Sequence, residues 1–424
     1  MITPPRVAVR RLALGRLISN TGSLAATTAL AFTIYERTGS ATWIAATMVL
    51  TWGLIGVVSP VAGAIGDRFD RRLVIIWSDV GAVVCWAVMS LFDEPAALLA
   101  IAFVASVVAM PFFPTSAAAI PNVAGPENLS WANSLVAMGD NTGLTTGPLI
   151  GGLLVATIDV HWLFLANATT FAVSAFLVAS VHANFSDPER SPESEDLHRG
   201  FIAGFRFIGR DRVLRTLLLS WFAFILGMAT TIVADPVLAE EFGTGAFGYG
   251  LITACWGGGT ILGAFLGRRV TEAKEGLVLV AFSGFLAVTA FGVALAPWFW
   301  LVLFWVLMFG LADGPTQVAE QNLLQRRAPD AVRARVMSAW EASHHVALVI
   351  ALVLGGFIVP ALGPRGAYVV GGITAVVGTS TLLPLLRWLP DRSATREAGP
   401  TEPASVEPLV PGTHETVVLP IDPS

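Results

Sequence analysis

The sequence predicts an all-α membrane protein, with twelve transmembrane helices in two pseudo-symmetric six-helix bundles. Three observations carry this: a charge-poor composition, twelve apolar windows of spanning length, and arginines confined to one side of them. Of the 424 residues, 54% are hydrophobic and only 13% charged, and the mean hydropathy is +0.70. A soluble globular chain carries about 25% charged residues and at this length needs them to cover its surface. An ordinary soluble enzyme is therefore excluded. The two cysteines, Cys85 and Cys255, lie in long apolar runs, so neither a disulfide framework nor a cysteine zinc site is expected. A net charge of −5 offers no general basic face for nucleic acid.

A helix needs about 20 apolar residues to cross roughly 30 Å of hydrocarbon. The chain offers twelve such stretches, at 12–36, 41–66, 72–92, 96–120, 131–156, 161–183, 213–237, 246–267, 276–296, 298–321, 333–359 and 365–389. Glycine, proline or charge clusters separate them. The first follows Arg10 and Arg11, is too long for a signal-peptide core and lacks a small-residue cleavage site, so it stays as a span. No segment alternates with period two in strand-length units, which argues against a transmembrane β-barrel.

Arginine placement tests the count independently. With both ends on one side, 23 of the 25 Lys and Arg residues fall there, and only Arg37 and Arg365 fall on the other side. A missed or invented span would scramble that alternation. By the positive-inside rule the rich side is the cytoplasm. Both termini are expected there, in a bacterial plasma (inner) membrane.

The longest internal loop divides the spans six and six. Residues 1–184 form the expected first bundle, 185–212 a charged cytoplasmic segment, 213–389 the second bundle and 390–424 a tail. Within the segment, Phe201, Phe205 and Ile208 alternate at helical spacing with Arg206, Arg210 and Arg212, predicting an amphipathic helix on the inner membrane surface. The tail is rich in Pro, Glu, Ser and Thr, cannot bury a core and is expected to be disordered.

The halves echo each other at an offset of about 200 residues. Gly63-Ala64 with Arg71-Arg72 has a shorter counterpart in Gly263-Ala264 with Arg268-Arg269. Pro126-Glu127 matches Pro329-Asp330, and Gly151-Gly152 matches Gly355-Gly356. Two related bundles with a central loop fit a transporter whose site lies between them near the midplane.

The loop joining spans two and three reads Gly63-Ala64-Ile65-Gly66-Asp67-Arg68-Phe69-Asp70-Arg71-Arg72. It resembles the G-x-x-x-D-[RK]-x-G-[RK]-[RK] loop of the major facilitator superfamily, with Asp70 where a glycine is usual. In this reading Asp67 accepts hydrogen bonds from the amides of a helix N-terminus, while Arg68, Arg71 and Arg72 hold the loop at the lipid surface. Span five carries Gly143-x3-Gly147-Pro148-x2-Gly151-Gly152, which is similar to the antiporter motif of proton-coupled exporters in that superfamily. Its small residues let helix backbones approach closely, and Pro148 removes a helix hydrogen bond. Arg11-x4-Arg16-Leu17-Ile18-Ser19 and Leu324-Gln325-Arg326-x2-Pro329-Asp330-x4-Arg335-Val336-Met337-Ser338 resemble the branch that contains macrolide efflux proteins and the enterobactin exporter. Span four has no arginine, so a proton relay through one there does not carry over. The resemblance covers nearly the whole chain and implies the major facilitator fold and export.

An ionisable residue at the bilayer centre costs about 2.5–3.5 kcal/mol on insertion scales, so each asks for a reason. Asp140 in span five, Asp313 in span ten and Glu341 and His345 in span eleven are the proton-coupling candidates. Glu341 and His345 stand four apart on one helix face and can share a proton. Asp79 reads as structural, Glu320 as paired with Arg326 or Arg327, and Asp235 as interfacial beside Pro236. Asn20, Trp256 and Trp340 are the cavity candidates.

These features predict proton-coupled efflux of an amphipathic small molecule, a drug or a siderophore-like metabolite. The alternatives are a lipid-moving protein, a nutrient importer of the same fold, or a non-transporting membrane sensor. No G-x-x-x-x-G-K-[ST] loop is present, which argues against ATP hydrolysis. No cofactor, metal or enzymatic activity is expected. The expected partners are a small-molecule substrate, protons and the lipid bilayer, without nucleic acid, and the chain is expected to act as a monomer.

Overall fold

The computed structural model describes residues 3–53, 65, 68–186, 197–267, 270 and 274–388. Helix α1 (Pro5–Thr38) opens on a proline, whose missing N–H is no loss in a first turn, and stops at Gly39 with φ 61°. Helix α2 (Ala41–Met48) runs into a π turn over Val49–Gly53. Most of the rest of the predicted second span, with Gly63 and Asp67, lies outside the described residues. Helix α3 (Arg71–Met89) starts at Asp70, whose carboxylate accepts the Leu73 N–H at 2.9 Å. The residue that departs from the family loop is thus an N-cap.

The predicted fourth span is broken at Pro111 into α4 (Pro95–Ala109) and α5 (Phe112–Ala124). Helices α6 (Leu129–Val155) and α7 (Val160–Ala179) complete the first half. Helix α8 (Leu197–Arg210) crosses to the second half, which continues with α9 (Arg212–Glu241), α10 (Gly245–Gly267), α11 (Glu275–Ala294) and α12 (Phe299–Arg327). The last two spans form one trace, α13 (Asp330–Leu382), which turns at Gly363, where φ of 72° suits only glycine, between Pro360 and Pro364. A short α14 (Leu385–Trp388) follows.

Among the described residues, nine helical stretches are long and apolar enough to cross a membrane. The last of them contains two spans, folded at Gly363. Helix α6 is long enough at 27 residues but is diluted by Asn133, Asp140, Asn141 and five serines and threonines. With α2 these make the twelve helices of the predicted fold. No strand occurs among the described residues.

Two cores belong to the first half alone, one around Leu12, Ile75 and Ile120 and one around Leu30, Trp86 and Phe164. Two others belong to the second half alone, around Leu214, Leu324 and Trp340 and around Phe224, Leu286 and Ala347. A fifth core joins the halves: Phe32, Ile44 and Met48 pack with Val233, Leu238, Tyr249 and Tyr368. It lies at the end remote from the arginine-rich loops, called here the far end. Among the described residues, the halves keep separate cores at the opposite, basic end. The two exceptional arginines sit at the far end and both are neutralised, Arg37 by Asp93 at 2.6 Å and Arg365 by Glu241 at 2.7 Å.

Two expectations are corrected. The apolar face of α8 does not lie on a membrane surface: Ile208 is buried with Val213, Leu214, Val336 and Trp340, and a β-carbon on Gly204 would strike the Arg335 carbonyl. Enough apolar surface was available on the second half to cover that face. Nor do Arg71 and Arg72 reach for lipid. Arg71 is buried and donates to the Ala118 carbonyl at 2.7 Å, and Arg72 donates to the Ala179 carbonyl. Arg72 thereby satisfies an orphan carbonyl at the end of α7, and Arg71 ties the start of α3 to the middle of α5. Arg68 is exposed beside the Phe69 ring.

Candidate functional site

In the first half, Arg16 on α1 is only 6% exposed and makes a two-pronged ion pair with Asp140 on α6, at 2.6 and 3.3 Å. Its second amino group donates to Ser116 Oγ on α5 at 2.6 Å. The guanidinium also lies 4.8 Å from the Phe113 ring centroid. One planar cation thereby ties three helices. Asn20, one turn along α1, donates to the Asp140 backbone carbonyl at 3.2 Å.

Sequence reasoning identified Asp140 but not its partner. The signal was there: a lone arginine inside an apolar stretch of α1 needs a counter-charge.

The second half is built otherwise. Asp313 is buried on α12 and accepts from Gln317 Nε2 at 2.8 Å, with Trp256 and Thr260 of α10 beside it. Glu320, two turns further along α12, is buried and lies close enough to Asp313 and Glu341 to feel both charges. The predicted pairing of Glu320 with Arg326 or Arg327 is not found. Arg326 binds Glu275, which is 2% exposed, and Arg327 binds Asp211 at 2.9 Å. Each arginine reaches outward from the end of α12 to an acid at the start of a neighbouring helix. Asp211 lies outside the spans. Burial alone would raise its carboxyl, but hydrogen bonds from the Leu214 and Val213 amides and from Arg327 more than offset this and hold it below the ordinary carboxylate range.

Glu341 is exposed, and His345 Nδ1 meets the Glu341 backbone carbonyl at 2.9 Å. The helical neighbours do share a face, but this ring nitrogen is engaged with the backbone. Trp340 is buried in the core at the basic end, and Trp256 is half-buried beside Asp313.

Aromatic rings link α9, α12 and α13. Phe309 stacks on Phe224 with centroids 6.2 Å apart, Phe224 on Trp221 at 5.6 Å, and Trp221 on His344 at 5.8 Å. The Trp221 indole also donates to His344 Nδ1 at 3.2 Å. This ladder starts one turn from Asp313 and ends beside His345.

Two further acids proved to be internal. Asp79 is fully buried beside Ser174, with no cation beside it among the described residues. Asp235 is not simply interfacial: it accepts from Tyr368 Oη at 2.5 Å.

The glycine pairs divide their contacts alike in both halves. Gly143, Gly147 and Gly151 meet α1 of their own half, whereas a β-carbon on Gly152 would lie 2.5 Å from the Ala246 carbonyl on α10. Pro148 joins the same contact, its carbonyl 2.7 Å from a β-carbon built on Gly250. Correspondingly, Gly355 meets Val233 and Thr230 on α9, while Gly356 meets Ala45 on α2 and its carbonyl accepts from Thr42 at 2.9 Å. The first glycine of each pair packs within its half and the second packs across the interface.

A sequence model described as Major Facilitator Superfamily matches residues 12–329 and again 222–419. The Enterobactin exporter EntS of Shigella boydii and of Escherichia coli is 29% identical over 367 residues, covering 82% of this chain and 85% of the relative. A variant of the nucleoside transporter NupG superposes with TM-score 0.74 at 11% identity, over 89% of this chain and 100% of that one. A bacterial homologue of the iron transporter ferroportin, in an inward-facing state, gives TM-score 0.71 at 18% identity, over 90% and 98%. With the twelve-helix fold, its internal repeat and a family match along most of its length, this multi-pass membrane protein belongs to the Major Facilitator Superfamily of transporters.

Proposed function

We propose that the protein is a proton-coupled exporter of amphipathic small molecules that works by alternating access, with 1–184 and 213–389 as its moving halves. The observation that carries this reading is the split at the basic end: the halves share a core at the far end and keep separate cores at the other. With the basic end on the cytoplasmic side, this is an inward-open state. The contacts that must break on rocking are the small-residue seams of α6 on α10 and α2 on α13, whose backbones slide without large side chains to disengage.

Coupling needs a group that carries a proton in one state and not in the other. Asp313, Glu320 and Glu341 fit that role, because neutralising a carboxylate without a cation beside it removes an electrostatic penalty in the membrane. Asp140 fits a different one: protonating it frees Arg16, which can then hold an anionic or polar group of cargo. The ladder of Phe309, Phe224, Trp221 and His344 supports an amphipathic cargo with a flat apolar part. The relative named as an enterobactin exporter supports export as the direction. One proton crossing 100 mV releases about 2.3 kcal/mol, enough for roughly a fifty-fold gradient.

The test is efflux from everted vesicles across a compound panel that includes enterobactin, with and without a collapsed proton gradient. Gradient-dependent movement of at least one amphipathic compound, lost in Asp313→Asn, is expected. Transport indifferent to the gradient would overturn proton coupling, and phospholipid exchange without cargo transport would overturn export.

A further inference from the structure

A pocket of about 390 Å³ lies within the first half, away from the acids and the aromatic ladder. Its walls are Leu17, Thr21 and Gly22 on α1, Thr146 and Ile150 on α6, and Ala166 and Asn167 on α7. Helix α7 packs on α1, α3 and α6 of its own half, whereas α6 turns Thr145, Pro148 and Gly152 toward α10 of the other half. The pocket therefore opens away from the seam between the halves, on the membrane side. Its lining runs from the middle of α1 to the second half of α6 and the first half of α7, toward the far end of the spans.

The lining carries no charged side chain. Its threonines are already engaged: Thr21 donates to the Leu17 carbonyl, Thr142 to Met138 and Thr146 to Thr142. Asn167 differs. It is 2% exposed, its Oδ1 accepts from Thr170 at 3.1 Å, and its Nδ2 has no partner. A buried amide has two N–H donors to satisfy, and an unmet one is costly in hydrocarbon. Rotation about χ2 is soft for this side chain, so the donor can turn to a guest. Gly22 keeps this corner open, since a β-carbon there would come within 2.6 Å of Asn167 Oδ1. The volume lies within the range of small-molecule sites, about 300–1,000 Å³.

We infer that this pocket is a membrane-facing binding site for an uncharged lipophilic molecule bearing one hydrogen-bond acceptor, which it presents to Asn167 Nδ2. The guest wedges between α7 and the pair α1–α6. That pair holds the Arg16–Asp140 bridge and the seam to the second half, so occupancy bears on how the halves move. The inference does not rest on proton coupling or on export, and its test needs neither.

The full chain in lipid nanodiscs is photolabelled with a dodecyl methyl ketone carrying a diazirine, and with the matching alkane diazirine. Labelled peptides are mapped by mass spectrometry. Labelling by the ketone should concentrate on 142–154 and 163–170 and exceed that by the alkane about fivefold, the worth of roughly one hydrogen bond. Asn167→Leu should abolish the preference while keeping the label. Ala166→Trp at the exposed rim should remove both labels, with Thr146→Phe as a second filling variant should the first not fold. Native mass spectra separate two sources of the guest. Loss of a copurified neutral lipid on probe binding identifies a resident lipid, and gain of probe without loss identifies a free lipophile. Label spread evenly over the lipid-facing helices, label unchanged by both filling variants, or a ketone preference that survives Asn167→Leu would overturn the inference.

Discussion

The two halves are built on one plan yet treat Asp140 and Asp313 in opposite ways. In the first half Asp140 is held by Arg16, and the arginine is shared with Ser116 across three helices. In the second half Asp313 has a neutral amide as its hydrogen-bond partner, and Arg326 and Arg327 are engaged by Glu275 and Asp211 at the basic end. The lesson is that a membrane-depth acid can be made part of the scaffold or left titratable by where one arginine is placed. A paired acid is part of the scaffold in the resting state. An unpaired one is free to gain or lose a proton without dismantling a bridge.

Breaking the bridge should give the largest stability effect. Asp140→Leu leaves a guanidinium that is 6% exposed without its counter-charge, which for a buried pair costs about 3–5 kcal/mol. Because Asp140 keeps 31% of its side-chain exposure, the lower end is expected. Arg16→Met in the same chain should restore most of the loss in thermal unfolding, since an apolar pair replaces an ionic one. Asp313→Asn should behave oppositely, with near-native unfolding but no gradient-driven transport. Equal destabilisation by both single variants would erase the contrast.

The seams sharpen the comparison next. Gly152→Val drives a side chain into the Ala246 carbonyl and the Gly250 backbone, whereas Gly356→Val meets the Ala45 methyl. Overpacking costs about 1–3 kcal/mol, and the backbone clash should be the costlier one. Cysteine cross-linking between α6 and α10 should fall more than that between α2 and α13.

A smaller, pH-dependent effect is expected at the start of the second half. The Asp211 carboxyl is held below the ordinary range. A depressed folded value contributes stability above the unfolded value of about 3.9, lost as pH falls through the folded one. Unfolding of the native chain should therefore become easier below about pH 4, and Asp211→Asn should flatten that limb while lowering stability at neutral pH. The exposed far-end pair is smallest: Arg37→Gln should change stability by less than about 1 kcal/mol.

Much of the architecture was legible in the sequence because lipid demands apolar runs of fixed length and arginines on one side. Helix α6 was read among the twelve apolar windows even though Asn133, Asp140 and Asn141 make it one of the more polar spans. The break at Pro111 was missed, since an apolar run records length and not continuity. The site was legible as a set of costly residues and not as partnerships. Asp140 stood out, but its partner lies 124 positions away, and only folding reveals which helices are neighbours. The same holds for Arg326, which was matched to Glu320 on its own helix and instead reaches Glu275. Amphipathic spacing in α8 announced an apolar face without saying whether lipid or protein would cover it.

Alternating access requires two halves that rock as units and part at the far-end seams. Spin labels at Glu36→Cys and Glu240→Cys report the far end, and labels at Glu127→Cys and Gln325→Cys report the basic end, in a chain with Cys85 and Cys255 replaced by alanine. Pulsed electron-spin distance measurements in nanodiscs should show a short far-end distance with a long basic-end one. A second population in which both are reversed should grow on shifting pH or adding cargo. Two distances that lengthen together, or a basic end that never closes, would contradict it.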